Sequence, residues 1–136
     1  MAHANVPPLL SVNNLSVSYP GYDGEALAVD GVSFTLAAGE MLAVIGESGA
    51  GKSAIAQAIP GLLPANARLS GEIVYQGQNL LHLDRAALAA LRGRDIAMIF
   101  QDPSASLDPV FSIGSQLDEA LALYEPQLNA AQRRAR

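Results

Sequence analysis

The feature that most constrains the fold of this chain is a glycine-rich stretch between an apolar run and a helix pattern. The run Met41–Ile45 is apolar without alternation, which is typical of a strand buried on both faces. The stretch Gly46–Ser53, GESGAGKS, follows directly, and Ser53–Ile59 then has the composition of a helix. A buried strand, a glycine loop and a helix in this order predict an α/β strand–loop–helix unit.

The glycine-rich stretch fits the pattern G-x-x-x-x-G-K-[ST], which predicts a phosphate-binding loop. Glycines permit backbone angles that turn successive N–H groups inward around an anion. Lys52 is the only lysine in the chain and can reach the β- and γ-phosphates, while the hydroxyl of Ser53 can bind Mg²⁺. A plain glycine–serine turn is the alternative, which the flanking strand and helix patterns disfavour. The predicted nucleotide-binding residues are Gly46, Glu47, Ser48, Gly49, Ala50, Gly51, Lys52 and Ser53.

Composition and charge narrow the class of protein. With 136 residues, the chain has the size of one domain or of part of a larger one. Thirteen acidic and eight basic residues give a net charge of −5, which argues against a nucleic-acid-binding surface. The absence of cysteine excludes a disulfide scaffold and a thiolate metal site. Because Met1–Leu10 has no signal-peptide pattern and no apolar stretch approaches about 18 residues, we expect a soluble, cytosolic chain.

Other strands are predicted from hydrophobic periodicity. Leu15–Tyr19 and Val32–Leu36 alternate between apolar and polar residues, as two-faced strands do, and Ile73–Tyr75 is a short strand between glycines. Ile96–Phe100 is a second apolar run without alternation. We therefore expect a parallel core that contains Met41–Ile45 and Ile96–Phe100, flanked by an antiparallel N-terminal layer.

Helix ends are predicted from capping residues. Asp84 is expected to cap one helix, and Ser115 and Asp118 are candidate caps for a second helix, which Pro126 ends. Asn129 is expected to cap a third helix close to the last residue of the sequence.

Hydrolysis of a nucleotide needs more than a phosphate loop, because a carboxylate must hold Mg²⁺ and a polar group must orient the attacking water. A Walker B strand would supply an Asp directly after four apolar residues. Leu80–Asp84 contains a His and leads into a helix cap, and Asp102 comes one residue late after Ala97–Phe100. We reject both, keeping Asp102 as a minor alternative. The sequence thus predicts nucleotide binding without complete catalytic machinery.

Taken together, Tyr19, Val29–Phe34, Gly46–Ser53 and Ile96–Pro109 resemble the nucleotide-binding domain of ATP-binding cassette (ABC) transporters. Within that family, the phosphate loop and the stretch Met98–Pro109, MIFQDPSASLDP, are most similar to the dipeptide/oligopeptide/nickel importer branch. The resemblance covers the chain from about Leu9 onward. Asp108 stands where this branch commonly has Asn, which is a small departure.

The resemblance implies roles for particular residues. Tyr19 matches the A-loop aromatic that stacks on adenine, although an ordinary strand aromatic is an equally good interpretation of this residue alone. Gly46–Ser53 matches the Walker A loop, with Lys52 in a catalytic as well as a binding role. Gln101 matches the Q-loop glutamine, which contacts Mg²⁺ or the attacking water and senses the transmembrane partner. The metal would thus be held by Ser53 and Gln101.

The resemblance also implies the fold class and domain organisation. The expected fold is an α/β P-loop NTPase, with a RecA-like parallel core and an antiparallel N-terminal β layer, truncated before the signature motif and Walker B. Residues 1–103 would be the N-terminal part of the ATPase core, with A-loop, Walker A and Q-loop. Residues 104–136 would begin an incomplete helical subdomain.

The implied function is that of the ATP-binding subunit of an importer for peptides or nickel, with ATP and Mg²⁺ as cofactors. The implied partners are membrane permease subunits and a second ABC ATPase domain, at the inner face of the cell membrane. A nucleotide-binding fragment without turnover, a non-transport ABC ATPase and a small-molecule kinase are the alternatives. Against the kinase, we find neither an acceptor site nor a lid with arginines.

Overall fold

The computed structural model describes residues 7–22, 24–102 and 106–136, which form two compact units, Met1–Ala89 and Ala90–Arg136. The first unit is built from strands and short helices, and the second unit contains two helices after an irregular stretch. The elements are β1 (Leu10–Gly21), β2 (Gly24–Leu36), α1 (Lys52–Ala58), β3 (Arg68–Tyr75), β4 (Gln78–Asn79), a 3₁₀ turn (Leu80–His82), α2 (Arg85–Leu91), α3 (Ile113–Tyr124) and α4 (Ala130–Arg134). This division into compact units does not test the family-based boundary at 103/104, which stays a prediction.

The first unit contains a four-stranded antiparallel sheet with the order β2-β1-β3-β4. The predicted strands Leu15–Tyr19, Val32–Leu36 and Ile73–Tyr75 lie within β1, β2 and β3, so these three predictions are confirmed. The hairpin of β1 and β2 closes at Gly21 and Gly24, and residue 23 lies outside the described residues. The expected antiparallel N-terminal layer is therefore present.

A bulge in β1 keeps the apolar side chains on the buried face. Leu10, Val12, Leu15 and Val17 are all buried, although their spacing changes from even to odd numbers between Val12 and Leu15. In a regular strand this change would turn the second pair toward the opposite face. The register with both neighbours shifts at this point, and Asn14 has a φ of 49°. The extra residue in β1 restores the phase, as β-bulges do.

Helix α1 has a narrow apolar face and contacts β2 of the sheet. Ala54, Ile55 and Ala58 are buried at helical spacing, whereas Ser53 is exposed. The predicted helix Ser53–Ile59 is thus confirmed within a residue at each end.

Two expected strands do not form, contrary to the prediction from their apolar runs. Residues 41–45 have no strand partner, and Met41 and Ile45 are 95% and 91% exposed. In Ile96–Phe100, only Ile96 makes a parallel bridge, to Arg92, and Ile99 is 94% exposed. An apolar run indicates side chains that favour burial, but a β-strand also requires backbone hydrogen bonds to a neighbouring strand. Within the described residues, Met41–Ile45 has no such neighbour and Ile96–Phe100 has one only at Ile96.

The second unit contains α3 and α4. Ser112 caps α3 by accepting from the backbone N–H of Ser115 at 3.2 Å, so the prediction of Ser115 or Asp118 as cap is wrong. Asp118 instead accepts two hydrogen bonds from the guanidinium of Arg133, at 2.9 and 3.0 Å. Asn129 caps α4 as predicted, through a capping box with Gln132. The ion pair joins the two helices.

Candidate nucleotide-binding site

The phosphate loop is an irregular, exposed connection that precedes α1. Gly49 and Gly51 have φ values of 84° and 81°, a backbone region that other residues adopt only with strain. The backbone N–H of Ala50 donates to the carbonyl of Glu47 at 3.2 Å, which forms a tight turn inside the loop. The path of the chain favours glycine at both positions; Gly51 is a glycine of the motif, whereas Gly49 occupies one of its variable positions.

The side chain of Lys52 folds back over this loop. Its Nζ donates to the carbonyl oxygens of Gly46 at 2.8 Å and of Glu47 at 2.5 Å. No carboxylate in the described ranges, 7–22, 24–102 and 106–136, forms an ion pair with this ammonium. Its positive charge therefore remains within the loop, unneutralised by any of these carboxylates and available to an anion.

The first turn of α1 offers further hydrogen-bond donors. Gly51 is the N-cap and has no side chain that could accept from the first-turn N–H groups. Its carbonyl accepts from the N–H of Ile55 at 3.0 Å, which fixes the start of the helix. The exposed hydroxyl of Ser53 has no hydrogen-bond partner among the described residues. A small oxygen-rich anion and an Mg²⁺ ion fit these groups, because the former needs donors and the latter prefers oxygen ligands.

Strand β2 connects the loop with the predicted base-stacking residue. The half-buried Tyr19 lies on β1 opposite Ala26 of β2. Two residues further along β2, the carbonyl of Ala28 approaches Gly51 so closely that a Cβ on Gly51 would lie 2.3 Å from it. Two residues of strand span about 7 Å. The structure thus places Tyr19 and the phosphate loop beside the same short segment of β2.

The remaining predicted site residue, Gln101, belongs to the second unit and is exposed. Its role as a ligand of Mg²⁺ or of water stays a prediction. Asp84, rejected above as a Walker B residue, accepts a hydrogen bond from the backbone N–H of Ala87 at 2.8 Å and thereby caps α2. Over the described part of the chain, no cluster of three or more His, Cys, Asp or Glu side chains could hold a metal ion.

Sequence reasoning missed the contact between Ala28 and Gly51. The two residues are 23 positions apart, and neither the composition nor the periodicity of β2 carries a signal for it. An approach of this kind follows only from the way in which the loop lies against the sheet.

The antiparallel layer, the glycine loop with its enclosed ammonium, and the helix that follows together define a P-loop nucleotide-binding fold. A family model described as "ABC transporter" matches residues 29–136. The chain belongs to the ABC transporter family, as its sequence motifs predict.

Curated relatives with similar sequences are ATP-binding proteins of oligopeptide, dipeptide and peptidoglycan transport. The chain is 47% identical over 122 residues to the oligopeptide transport ATP-binding protein OppD of Salmonella typhimurium, covering 90% of this chain and 36% of that protein. It is 44% identical to the dipeptide transport ATP-binding protein DppD of Bacillus subtilis, with 93% and 38% covered. For the peptidoglycan transport ATP-binding protein YejF of Agrobacterium fabrum, the identity is 46%, with 92% and 23% covered. The chain thus spans little more than a third of the OppD and DppD sequences.

A solved structure confirms the fold class. The ATP-binding cassette MJ0796, in a dimeric post-hydrolysis state bound to ADP and Pi, matches with a TM-score of 0.75 and 22% identity. The match covers 93% of this chain and 53% of that one. No helix in the described part of the chain has the length and apolarity that a membrane crossing requires.

Proposed function

We propose that this chain is the nucleotide-binding part of the ATP-binding subunit of an importer for peptides or nickel. Its similarity to OppD and DppD supports the transport role. The observation that carries the proposal is the ammonium of Lys52, which lies over the glycine loop on two backbone carbonyls and pairs with no carboxylate of the described residues. This arrangement suits an ATP polyphosphate.

In the proposed complex, the loop amides and the first-turn N–H groups of α1 bind the β- and γ-phosphates. Lys52 would exchange its two carbonyl partners for phosphate oxygens, which gives stronger hydrogen bonds because donor and acceptor then carry opposite charges. Ser53 would present its hydroxyl to Mg²⁺, and the family resemblance implies that Gln101 would supply an oxygen ligand or orient water. Mg²⁺ would neutralise charge on the phosphates. Tyr19 would hold the adenine by stacking.

Transport would follow from pairing of two such domains. ATP binding would bring this domain and a second ABC ATPase domain together and so reorient the permease subunits at the inner face of the membrane. The dimeric state of MJ0796 is consistent with such pairing. We find no signature motif and no Walker B strand in these 136 residues. We therefore propose that this stretch by itself binds ATP·Mg²⁺ without hydrolysing it.

Titration calorimetry with ATP·Mg²⁺ tests the proposed binding. Wild type should bind, and Lys52→Ala should lose most of the affinity, because the enclosed cation is removed. An arginine-to-alanine change at the exposed Arg94, which pairs with its neighbour Asp95, is a control that removes a cation elsewhere. Equal affinity for wild type and Lys52→Ala would refute the site.

Phosphate release assays test the second part of the proposal. The purified 136 residues should release phosphate at the background rate. Steady hydrolysis that is abolished by Asp102→Asn would instead assign the missing carboxylate to Asp102. Uptake of labelled peptide and of Ni²⁺ can be measured in cells that carry the whole transporter. Uptake of one substrate that is lost in Lys52→Ala identifies that substrate, and no uptake of either would indicate a non-transport role.

A further inference from the structure

The phosphate loop rests against β2 beside a buried valine. A Cβ on Gly51 would lie 2.3 Å from the carbonyl oxygen of Ala28 and 3.2 Å from Cγ2 of Val29. Backbone and side-chain atoms do not approach a Cβ to 2.3 Å, so the loop backbone here contacts the strand directly. Gly51 immediately precedes Lys52, and its position therefore determines where the lysine and the first turn of α1 begin.

Val29 is the buried part of this contact. Its side chain is 4% exposed and lies opposite Val17 of β1, which is 0% exposed. β2 is the edge strand of the sheet and β1 is hydrogen-bonded on its other side to β3, so Val17 lies on an interior strand and Val29 on the edge strand, both with buried side chains. A group held in this way can support a flexible neighbour, because well-packed interior side chains have little freedom to move.

We propose that Val29 is a positioning residue for the phosphate loop. Its side chain and the adjacent carbonyl of Ala28 form a support that keeps Gly51, and with it Lys52, in the phosphate-binding geometry. This inference rests on the proposed binding of ATP, and it assigns a role to a residue outside the motif. Glycine-rich loops have many accessible conformations, and a support that excludes most of them lowers the cost of ordering the loop around a ligand.

Val17 provides a matched control for this role. Val29→Ala and Val17→Ala delete the same two methyl groups from facing positions of one strand pair. Both leave a cavity and destabilise the sheet. Of the two valines, Val29 is the one that lies beside Gly51. A loss of ligand affinity that occurs only in Val29→Ala therefore reports on the loop and not on the core.

The test measures binding of two ligands, ATP·Mg²⁺ and inorganic tripolyphosphate with Mg²⁺, by calorimetry well below the melting temperature of each variant. Tripolyphosphate has no base and so reports on the phosphate loop without the contribution of Tyr19. We expect Val29→Ala to weaken both ligands by about tenfold, the scale of coupling between neighbouring packed residues. Val17→Ala should change either affinity by less than about twofold.

Equal losses in the two alanine variants would overturn the proposal, because Val29 would then be an ordinary core residue. A loss for ATP alone would also overturn it, by assigning Val29 to the base. If Val29→Ala does not fold, Val29→Ile and Val17→Ile replace the pair. The added methyl group of Val29→Ile should press on Gly51 and weaken tripolyphosphate binding. Equal effects of Val29→Ile and Val17→Ile would refute the positioning role of Val29.

Amide hydrogen exchange of the ligand-free protein separates this inference from the proposed function. Exchange at Gly49 and Gly51 should be faster in Val29→Ala than in Val17→Ala. If wild type bound neither ligand, the proposed function would be refuted. The exchange rates would then still test whether Val29 positions the phosphate loop. Equal exchange in both variants would refute it.

Discussion

The carbonyl oxygen of Asn14 lies where a side chain on Gly71 would begin. A Cβ on Gly71 would be 2.4 Å from this oxygen, and Gly71 has a φ of +95°. The bulge of β1 therefore fits its neighbour β3 only because β3 has a glycine at this point. The backbone N–H of Asn14 also donates to the hydroxyl of Ser33 in β2, at 2.8 Å, so the bulge is held from both sides.

Gly71→Ala should destabilise the first unit more than Gly77→Ala does. Both glycines have positive φ, but nothing lies within 4 Å of a Cβ on Gly77. Backbone strain alone costs about 1–3 kcal/mol at either position. The clash with Asn14 adds to this cost at Gly71, so urea unfolding should give a clearly lower midpoint for Gly71→Ala. Equal midpoints would show that the bulge can shift to make room.

The ion pair between α3 and α4 should make the second unit sensitive to acid. The hydrogen bonds from the guanidinium of Arg133 hold the pKa of Asp118 below its ordinary value of 3.8. Because the pKa is lowered in the folded state, the stabilisation is complete well above pH 3.8 and is lost as the pH falls through the lowered pKa.

Nuclear magnetic resonance titration of the Asp118 carboxyl carbon measures this pKa. Arg133→Gln should raise it toward 3.8, whereas Arg134→Gln should have a smaller effect, since Arg134 acts on Asp118 through its charge alone. An unchanged pKa in Arg133→Gln would contradict the ion pair seen between the helices.

Tyr19 should contribute to binding of the base and not of the phosphates. Stacking of a base on an aromatic ring is worth about 1–3 kcal/mol. Tyr19→Ala should therefore weaken ATP binding by about tenfold or more and leave tripolyphosphate binding unchanged, whereas Tyr19→Phe should retain both affinities. If Tyr19→Ala bound ATP like wild type, Tyr19 would be an ordinary strand aromatic.

Ser53 should contribute only when Mg²⁺ is present. Ser53→Ala removes an exposed hydroxyl that has no partner among the described residues, so its effect on folding should be small. A hydrogen bond or ligand contact to a charged group is worth about 1.5–3 kcal/mol. ATP affinity should fall by about tenfold or more in Mg²⁺ and remain at the wild-type value in EDTA. Ser53→Thr should behave like wild type under both conditions.

Local signals in the sequence predicted much of this structure. The alternation in Leu15–Tyr19, the caps at Asp84 and Asn129, and the tight turn inside the glycine loop all depend on residues that are close in sequence. These predictions agree with the structure because the side chains of such short segments bond to backbone groups only a few residues away, and the sequence shows these side chains directly. The cap of α3 was misplaced by three residues, from Ser112 to Ser115, because both serines precede the same apolar face.

Long-range pairing was not predictable in the same way. Met41–Ile45 and Ile96–Phe100 read as buried strands, yet strand formation depends on a neighbour that the run itself does not encode. The bulge at Asn14 and the contact of Ala28 with Gly51 likewise depend on residues that are distant in sequence. For the candidate site, the motif predicted which residues form the phosphate loop, and the sheet behind it supplied the residue that we propose supports it.

The two carbonyl contacts of Lys52 have a consequence for ligand choice. A molecule that enters the loop must compete with Gly46 and Glu47 for the same ammonium. An uncharged nucleoside or sugar offers nothing better than the carbonyls already there, whereas a polyanion does. As a nucleotide site, the loop would thus select ligands by charge, because a ligand has to bind the ammonium more strongly than these two carbonyls do.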